Sequence, residues 1–209
     1  MENPDQEEGG GREEEEEKEK SKEPAGRRGA CSFIHNNKFY LYSGYAGGPA
    51  LTQRSQSELS VLDVTSGCWS TEQTKAAEED VPKCISGACC TVTNNCLYVF
   101  GGWLAGLRNA DIHELNLNTL VWRELPAKNP EHGPMLKDKA GMVAYGKRML
   151  CVFGGYGYPS REHISGQAGA SYHSDQTSYA QICWTNELHL FNVLTCKSIP
   201  STVCSGSTV

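Results

Sequence analysis

The sequence contains no long hydrophobic run. Its apolar stretches are a handful of residues each, far short of the roughly 20 that cross a bilayer, and its N-terminus is acidic rather than a basic-then-apolar leader. Neither a membrane span nor a secretory signal is expected. A basic surplus is missing as well: the formal net charge is -6, so the electrostatic footprint of a nucleic-acid binder is absent. The chain has no G-x-S-x-G and no phosphate-binding loop. Its six histidines, His35, His113, His132, His163, His173 and His189, show no pairing at ligand spacing, although His163 and His173 share one polar stretch. These absences turn the reading away from metal-dependent or nucleophilic catalysis, and no catalytic residue, metal ligand or cofactor is assigned.

Cysteine is plentiful, with ten residues, but its arrangement is uninformative about metals. Without an export signal the expected compartment is reducing, the nucleus or cytoplasm, where thiols stay reduced. Cys84, Cys89, Cys90 and Cys96 are the densest group, yet they lack paired C-x2-C units. On a strand, Cys89 and Cys90 would point to opposite faces, so buried small side chains are the expected role.

Charge divides the chain in two. Residues 1–28 hold eleven acids and six bases, which leaves fourteen acids and thirteen bases for the remainder. The first 27 residues, with the run Glu13 to Glu17 and almost nothing apolar, are expected to be a disordered acidic tail, because burial could not offset the entropy of ordering them.

From residue 28 onward a cassette recurs three times. Phe39 to Tyr45 reads FYLYSGY, Leu97 to Trp103 reads LYVFGGW, and Leu150 to Tyr158 reads LCVFGGYGY. Each is an apolar run of strand character followed by glycine and an aromatic residue. Gly44, Gly102 and Gly155 are 58 and 53 residues apart, a period of about fifty. Around each cassette the same pieces line up. GACSFI, GACCTV and AGMVAY precede it, and ELSVLDV, DIHELNL and ELHLFNV follow it. Trp69 and Trp122 close the first two units, with Ser198 standing where the third tryptophan is expected. Each unit is thus predicted to be four short antiparallel strands. Insertions fall between the second and third strands, and Pro159 to Gln181 is the longest. Loop variation on a constant scaffold marks a working face.

This pattern resembles the kelch repeat, whose units are the blades of a β-propeller. The resemblance implies an all-β, partial propeller of about three four-stranded antiparallel blades, over residues 28–83, 84–136 and 137–209. The glycine pairs Gly101–Gly102 and Gly154–Gly155 and the two tryptophans carry it, while Ser43 and Ser198 depart from it. A large indole is expected to fill the wedge between blades. Because propellers close with about four to eight blades, three are expected to be a piece of a longer propeller or to self-associate into a ring.

Within the family, the run Lys137 to Tyr158 and the WTNELHL segment from Trp184 are similar to the third blade of substrate receptors of a cullin-2 ubiquitin ligase that capture glycine-ended C-termini. That similarity implies a peptide pocket lined by Tyr45, Lys139, Tyr156 and Trp184. It implies elongin and cullin-2 components as partners, through parts that would lie beyond Val209. In that family the arginines that grip the terminal carboxylate also come from later blades. A general protein-interaction scaffold and a kelch-type copper oxidase are the alternatives.

Overall fold

The computed structural model describes residues 23–45, 57–76, 81–82, 86–129, 132–159 and 182–199. Most of the expected acidic tail and nearly all of the Pro159 to Gln181 insertion lie outside them. Among the described residues, the regular elements are all strands.

The first blade runs β1 (Cys31–His35), β2 (Lys38–Tyr42), β3 (Glu58–Asp63) and β4 (Trp69–Gln73), each antiparallel to the next. The second places β5 (Cys89–Thr93) and β6 (Cys96–Phe100) first. After them come a small hairpin of β7 (Trp103–Leu104) and β8 (Leu107–Arg108), and then β9 (Ile112–Asn116) and β10 (Val121–Glu124). The third opens with β11 (Lys137–Asp138), followed by β12 (Gly141–Tyr145) and β13 (Met149–Phe153). It continues through β14 (Tyr156–Gly157) and β15 (Cys183–Trp184) and closes with β16 (Leu188–Asn192) and β17 (Lys197–Ile199). Here β12-β13-β16-β17 form the blade, and β11, β14 and β15 a separate three-stranded sheet.

The registers show why three copies of one pattern fold alike. Tyr42, Phe100 and Phe153 pair with Leu59, Ile112 and Leu188 in the three blades, and Trp69, Trp122 and Ser198 pair with Leu62, Leu115 and Phe191. The turns between third and fourth strands are built identically. One side-chain oxygen of Asp63, Asn116 or Asn192 accepts two backbone N–H bonds, at 2.8–3.1 Å. Such Asx turns reverse the chain without needing a fixed sequence at the turn tip.

The core lies between blades rather than within them. One cluster joins Tyr40, Tyr42, Leu59 and Val61 of the first blade to Leu97, Val99, Leu115 and Trp122 of the second. Another joins Tyr98, Phe100, Ile112 and Leu125 of the second to Met142, Leu150, Val152 and Phe191 of the third. The period-2 alternation therefore sends one face of the second blade to each neighbour. Strands β1, β5 and β12 lie side by side along the inner edge. Cys89 and Cys90 do point to opposite faces, the first packed toward the third blade and the second toward the first.

Trp122 fills the wedge between the first two blades. It is 1% exposed, its ring lies 5.1 Å from that of Tyr42, and its Nε1–H donates to Thr74 Oγ1 at 3.0 Å. Its blade-one counterpart Trp69 is only half-buried, edge-on to Phe39 at 6.2 Å.

Candidate functional site

Three short links lead into the blades, and each pairs with the aromatic residue that follows a glycine cassette. Arg28 bridges Tyr45, Ser86 bridges Trp103, and Asp138 pairs with Tyr156. The links are also joined to one another: Gly87 N donates to Gly29 O at 2.8 Å, and Lys139 N donates to Gly87 O at 2.7 Å. Tyr45, Trp103 and Tyr156 thus occupy equivalent positions along one continuous backbone seam.

The joined links require a left-handed backbone at each junction. Gly29 and Gly87 have φ of +65° and +71°, and the third position, Lys139, has φ of +58°. Glycine adopts this conformation freely, whereas a residue with a Cβ does so at a cost of about 1–2 kcal/mol. Lysine is therefore held at a place where the repeat uses glycine, and strain of this kind concentrates at functional sites.

Around Lys139 the sheet of β11, β14 and β15 sorts its side chains by face. Asp138, Tyr156 and Trp184 lie directly across from one another, as do Lys137, Gly157 and Cys183. The second row is buried. Gly157 is obligatory there, since a Cβ would lie 2.6 Å from Lys137 Cα. Lys137, 1% exposed, donates from Nζ to Glu187 Oε2 at 3.0 Å and to Thr185 Oγ1 at 3.1 Å, and His189 Nε2 lies 3.3 Å from the same Glu187 oxygen. This buried pair pins the link to the segment ahead of β16. Burial, and then the nearby Glu187 carboxylate, push the Cys183 thiol up, which keeps it neutral.

The first row forms the candidate site, with Trp184 exposed, Tyr156 half-buried and Asp138 buried. The rings of Tyr156 and Trp184 are 5.2 Å apart and inclined by 47°, and Lys139 Nζ is 5.8 Å from both centroids. Arg108, from the β7–β8 hairpin, lies over Tyr156 at 4.8 Å. It donates from Nε to Asp138 Oδ1 at 2.7 Å and to Tyr156 O at 3.1 Å. Asp138 is largely occupied by this arginine, and Lys139 Nζ stands 3.8 Å from its other oxygen with 59% of the side chain exposed. The result is a half-open aromatic wall with a cation above it. Such a wall accepts the flat backbone of an extended peptide, and the ammonium can donate to carbonyl or carboxylate oxygens.

Of the four residues expected to line a peptide pocket, the structure brings Lys139, Tyr156 and Trp184 together. Tyr45 sits apart in the first blade, 37% exposed, with the Arg28 guanidinium 5.1 Å from its ring. Sequence reasoning missed Arg108, Asp138 and Trp103. The signal for Trp103 was present, since it follows its glycine pair as Tyr45 and Tyr156 follow theirs. Among the described residues no group of three or more His, Cys, Asp or Glu is placed to hold a metal ion.

Radial four-stranded sheets, glycine-aromatic cassettes and an indole wedged between blades define the blades of a β-propeller. Residues 12–197 match the KLHDC2/KLHL20/DRC7 Kelch-repeats domain, and the chain belongs to that family. It is 28% identical over 176 residues to kelch domain-containing protein 1 of Homo sapiens, covering 81% of this chain and 41% of that protein. It is 26% identical over 184 residues to kelch domain-containing protein 2 of Homo sapiens, covering 82% and 43%. Kelch domain-containing protein 10 of Rattus norvegicus matches at 28% over 96 residues, 46% of this chain and 22% of that one. The solved structure of YjhT superposes with a TM-score of 0.55 at 18% identity, over 85% of this chain and 52% of that one, which supports the fold alone. The chain spans about two-fifths of the length of kelch domain-containing proteins 1 and 2.

Proposed function

We propose that this chain supplies the peptide-binding wall of a kelch propeller, and that it takes the C-terminal end of a protein ligand as a substrate receptor of a cullin-RING ubiquitin ligase. The observation that carries the reading is the Tyr156–Trp184 pair with Lys139 above both rings, the lysine being held in a backbone conformation that the other two links reserve for glycine. Arg108 and Asp138 hold Tyr156 in place from behind, so the aromatic wall is formed before a ligand arrives, which lowers the entropic cost of binding. Similarity to kelch domain-containing proteins 1 and 2 supports the reading. In it, glycine-ended peptides are the ligand, elongin and cullin-2 components the partners, and the nucleus or cytoplasm the place of action.

The test is a titration of the protein with a labelled peptide ending in Gly-Gly. Tyr156→Ala should weaken binding about tenfold or more while the melting temperature stays within a few degrees. Unchanged affinity, or no preference for the free carboxylate over its amide, would sink the proposal. A second reading, a general interaction scaffold using the same exposed aromatic wall, rests on the same geometry with a different ligand. Co-purification with elongin and cullin-2 components separates the two.

A further inference from the structure

The third blade departs from the repeat at a second place. Registers put Ser198 opposite Phe191 as they put Trp122 opposite Leu115, so serine occupies the wedge position of the missing tryptophan. The residue that receives the indole N–H has changed with it. Lys75 N donates to Leu120 O and Lys128 N donates to Cys196 O, which makes Thr74, one residue before Lys75, equivalent to Ala127. Both halves of the Trp122–Thr74 hydrogen bond are therefore replaced together, by Ser198 and Ala127.

The wedge has not closed over the loss. A cavity of about 250 Å³ lies there, between the second and third blades. Its buried side is formed by Ile112, Leu125, Phe191 and Ser198, and its solvent side includes Asp111, Glu124 and Ala127. Ser198 is 4% exposed and its Oγ has no hydrogen-bond partner among the described residues, while its backbone N and O are both held by the Asn129 side chain at 2.7 Å. A buried hydroxyl without a partner is costly, and it is aligned with a space shaped by repetition to hold an indole. Two carboxylates stand at the mouth, and none of the described lining residues is basic.

We infer that this inter-blade cavity is a binding site for a small planar bicyclic aromatic amine, of indole size with a cationic arm. The ring would take the place of the absent tryptophan against Ile112, Leu125 and Phe191, its polar ring atom would meet Ser198 Oγ, and the ammonium would lie between Asp111 and Glu124. The site is separate from the aromatic wall proposed for peptides, so either can fail without the other.

The test uses indole, tryptamine and indole-3-acetate as probes, titrated by calorimetry into the wild-type protein and into Ser198→Trp. Tryptamine should bind saturably at one site, at least threefold tighter than indole, with indole-3-acetate the weakest. Ser198→Trp should raise the melting temperature and weaken tryptamine at least tenfold. If that variant does not fold, Ser198→Leu, which fills the cavity partway, should weaken tryptamine severalfold. The inference is overturned if tryptamine shows no saturable binding, if indole-3-acetate binds as tightly, or if tryptamine affinity is unchanged in a folded cavity-filled variant.

Discussion

Replacing Trp122 tests whether blade-to-blade wedges hold this fold together. The side chain is 1% exposed, tilted onto Tyr42 at 5.1 Å, and bonded through Nε1 to Thr74 Oγ1 at 3.0 Å. Thr74 Oγ1 in turn donates to Ser57 O at 2.9 Å, so a short relay ties the indole to the edge of the first blade. Trp122→Ala should cost about 3–5 kcal/mol, the range for emptying a buried tryptophan site. At about 2–4 °C per kcal/mol, that lowers the melting temperature by roughly 6–20 °C. Trp122→Phe keeps an aromatic ring and loses the bond. Thr74→Val keeps the shape and leaves the indole N–H buried without its partner, costing about 1–3 kcal/mol. The double variant has no orphaned donor, so it should be more stable than the sum of the singles implies, by about 1 kcal/mol. Urea unfolding followed by circular dichroism measures the cycle. Additivity within about 0.5 kcal/mol would refute the coupling. A loss in Trp69→Ala as large as in Trp122→Ala would refute the wedge, because Trp69 is only half-buried.

Other consequences follow from single groups. Asp63 accepts backbone bonds from Ser66 and Thr65 that hold its carboxyl below the usual range, so its share of stability is present above the unfolded pKa of about 3.9 and is lost as pH falls through the lower folded value. Asp63→Asn, which copies Asn116 and Asn192, keeps the turn but lacks the charge, so it should lose that share at neutral pH and flatten this part of the acid limb in a pH series of urea midpoints. Lys137→Ala should cost about 3–5 kcal/mol by leaving Glu187 buried without its cation, while Lys137→Met with Glu187→Leu should recover most of the loss. Burial pushes the Cys89 thiol up to about 12 from 9.0, so its contribution is complete below pH 9 and declines as pH rises towards 12. Cys89→Ala should remove that slope from alkaline melts. A hydrogen bond from Cys31 draws the Cys90 thiol downward, whereas Cys31 itself is raised. Among these three, mass spectrometry after brief alkylation at pH 8 should find Cys90 modified first.

The blades were legible in the sequence because each blade strand is three to six residues long and most end on a glycine cassette or a turn. The site was less so. Strands of two residues, such as β7, β8, β11, β14 and β15, carry no alternation to read, and they are the ones that place Arg108, Asp138, Tyr156 and Trp184. Lys137 looks like a solvent-facing charge in sequence because its partner Glu187 is fifty residues away. Asp63, Asn116 and Asn192 direct the turns from the last strand residue rather than from the turn tip. The copies themselves supplied what local pattern did not, since alignment alone picks out Tyr45, Trp103 and Tyr156 as one set and Ser198 as the exception.

A repeat protein states its own rules, and departures from them carry more weight than the residues that obey. Two departures fall in the third blade. At Lys139 a side chain is accepted at φ of +58°, where the first two links use glycine. At Ser198 an interblade tryptophan is given up and a cavity is left. Both lower the stability available to the blade, by strain in one case and by lost burial in the other. Neither is explained by folding, because the neighbouring repeats show the more stable solution in the same scaffold. Lys139→Gly therefore separates the two roles of that position. It should raise the melting temperature by relieving strain and weaken peptide binding by removing the cation over Tyr156 and Trp184. A variant that loses stability together with binding would show that the lysine serves the fold instead.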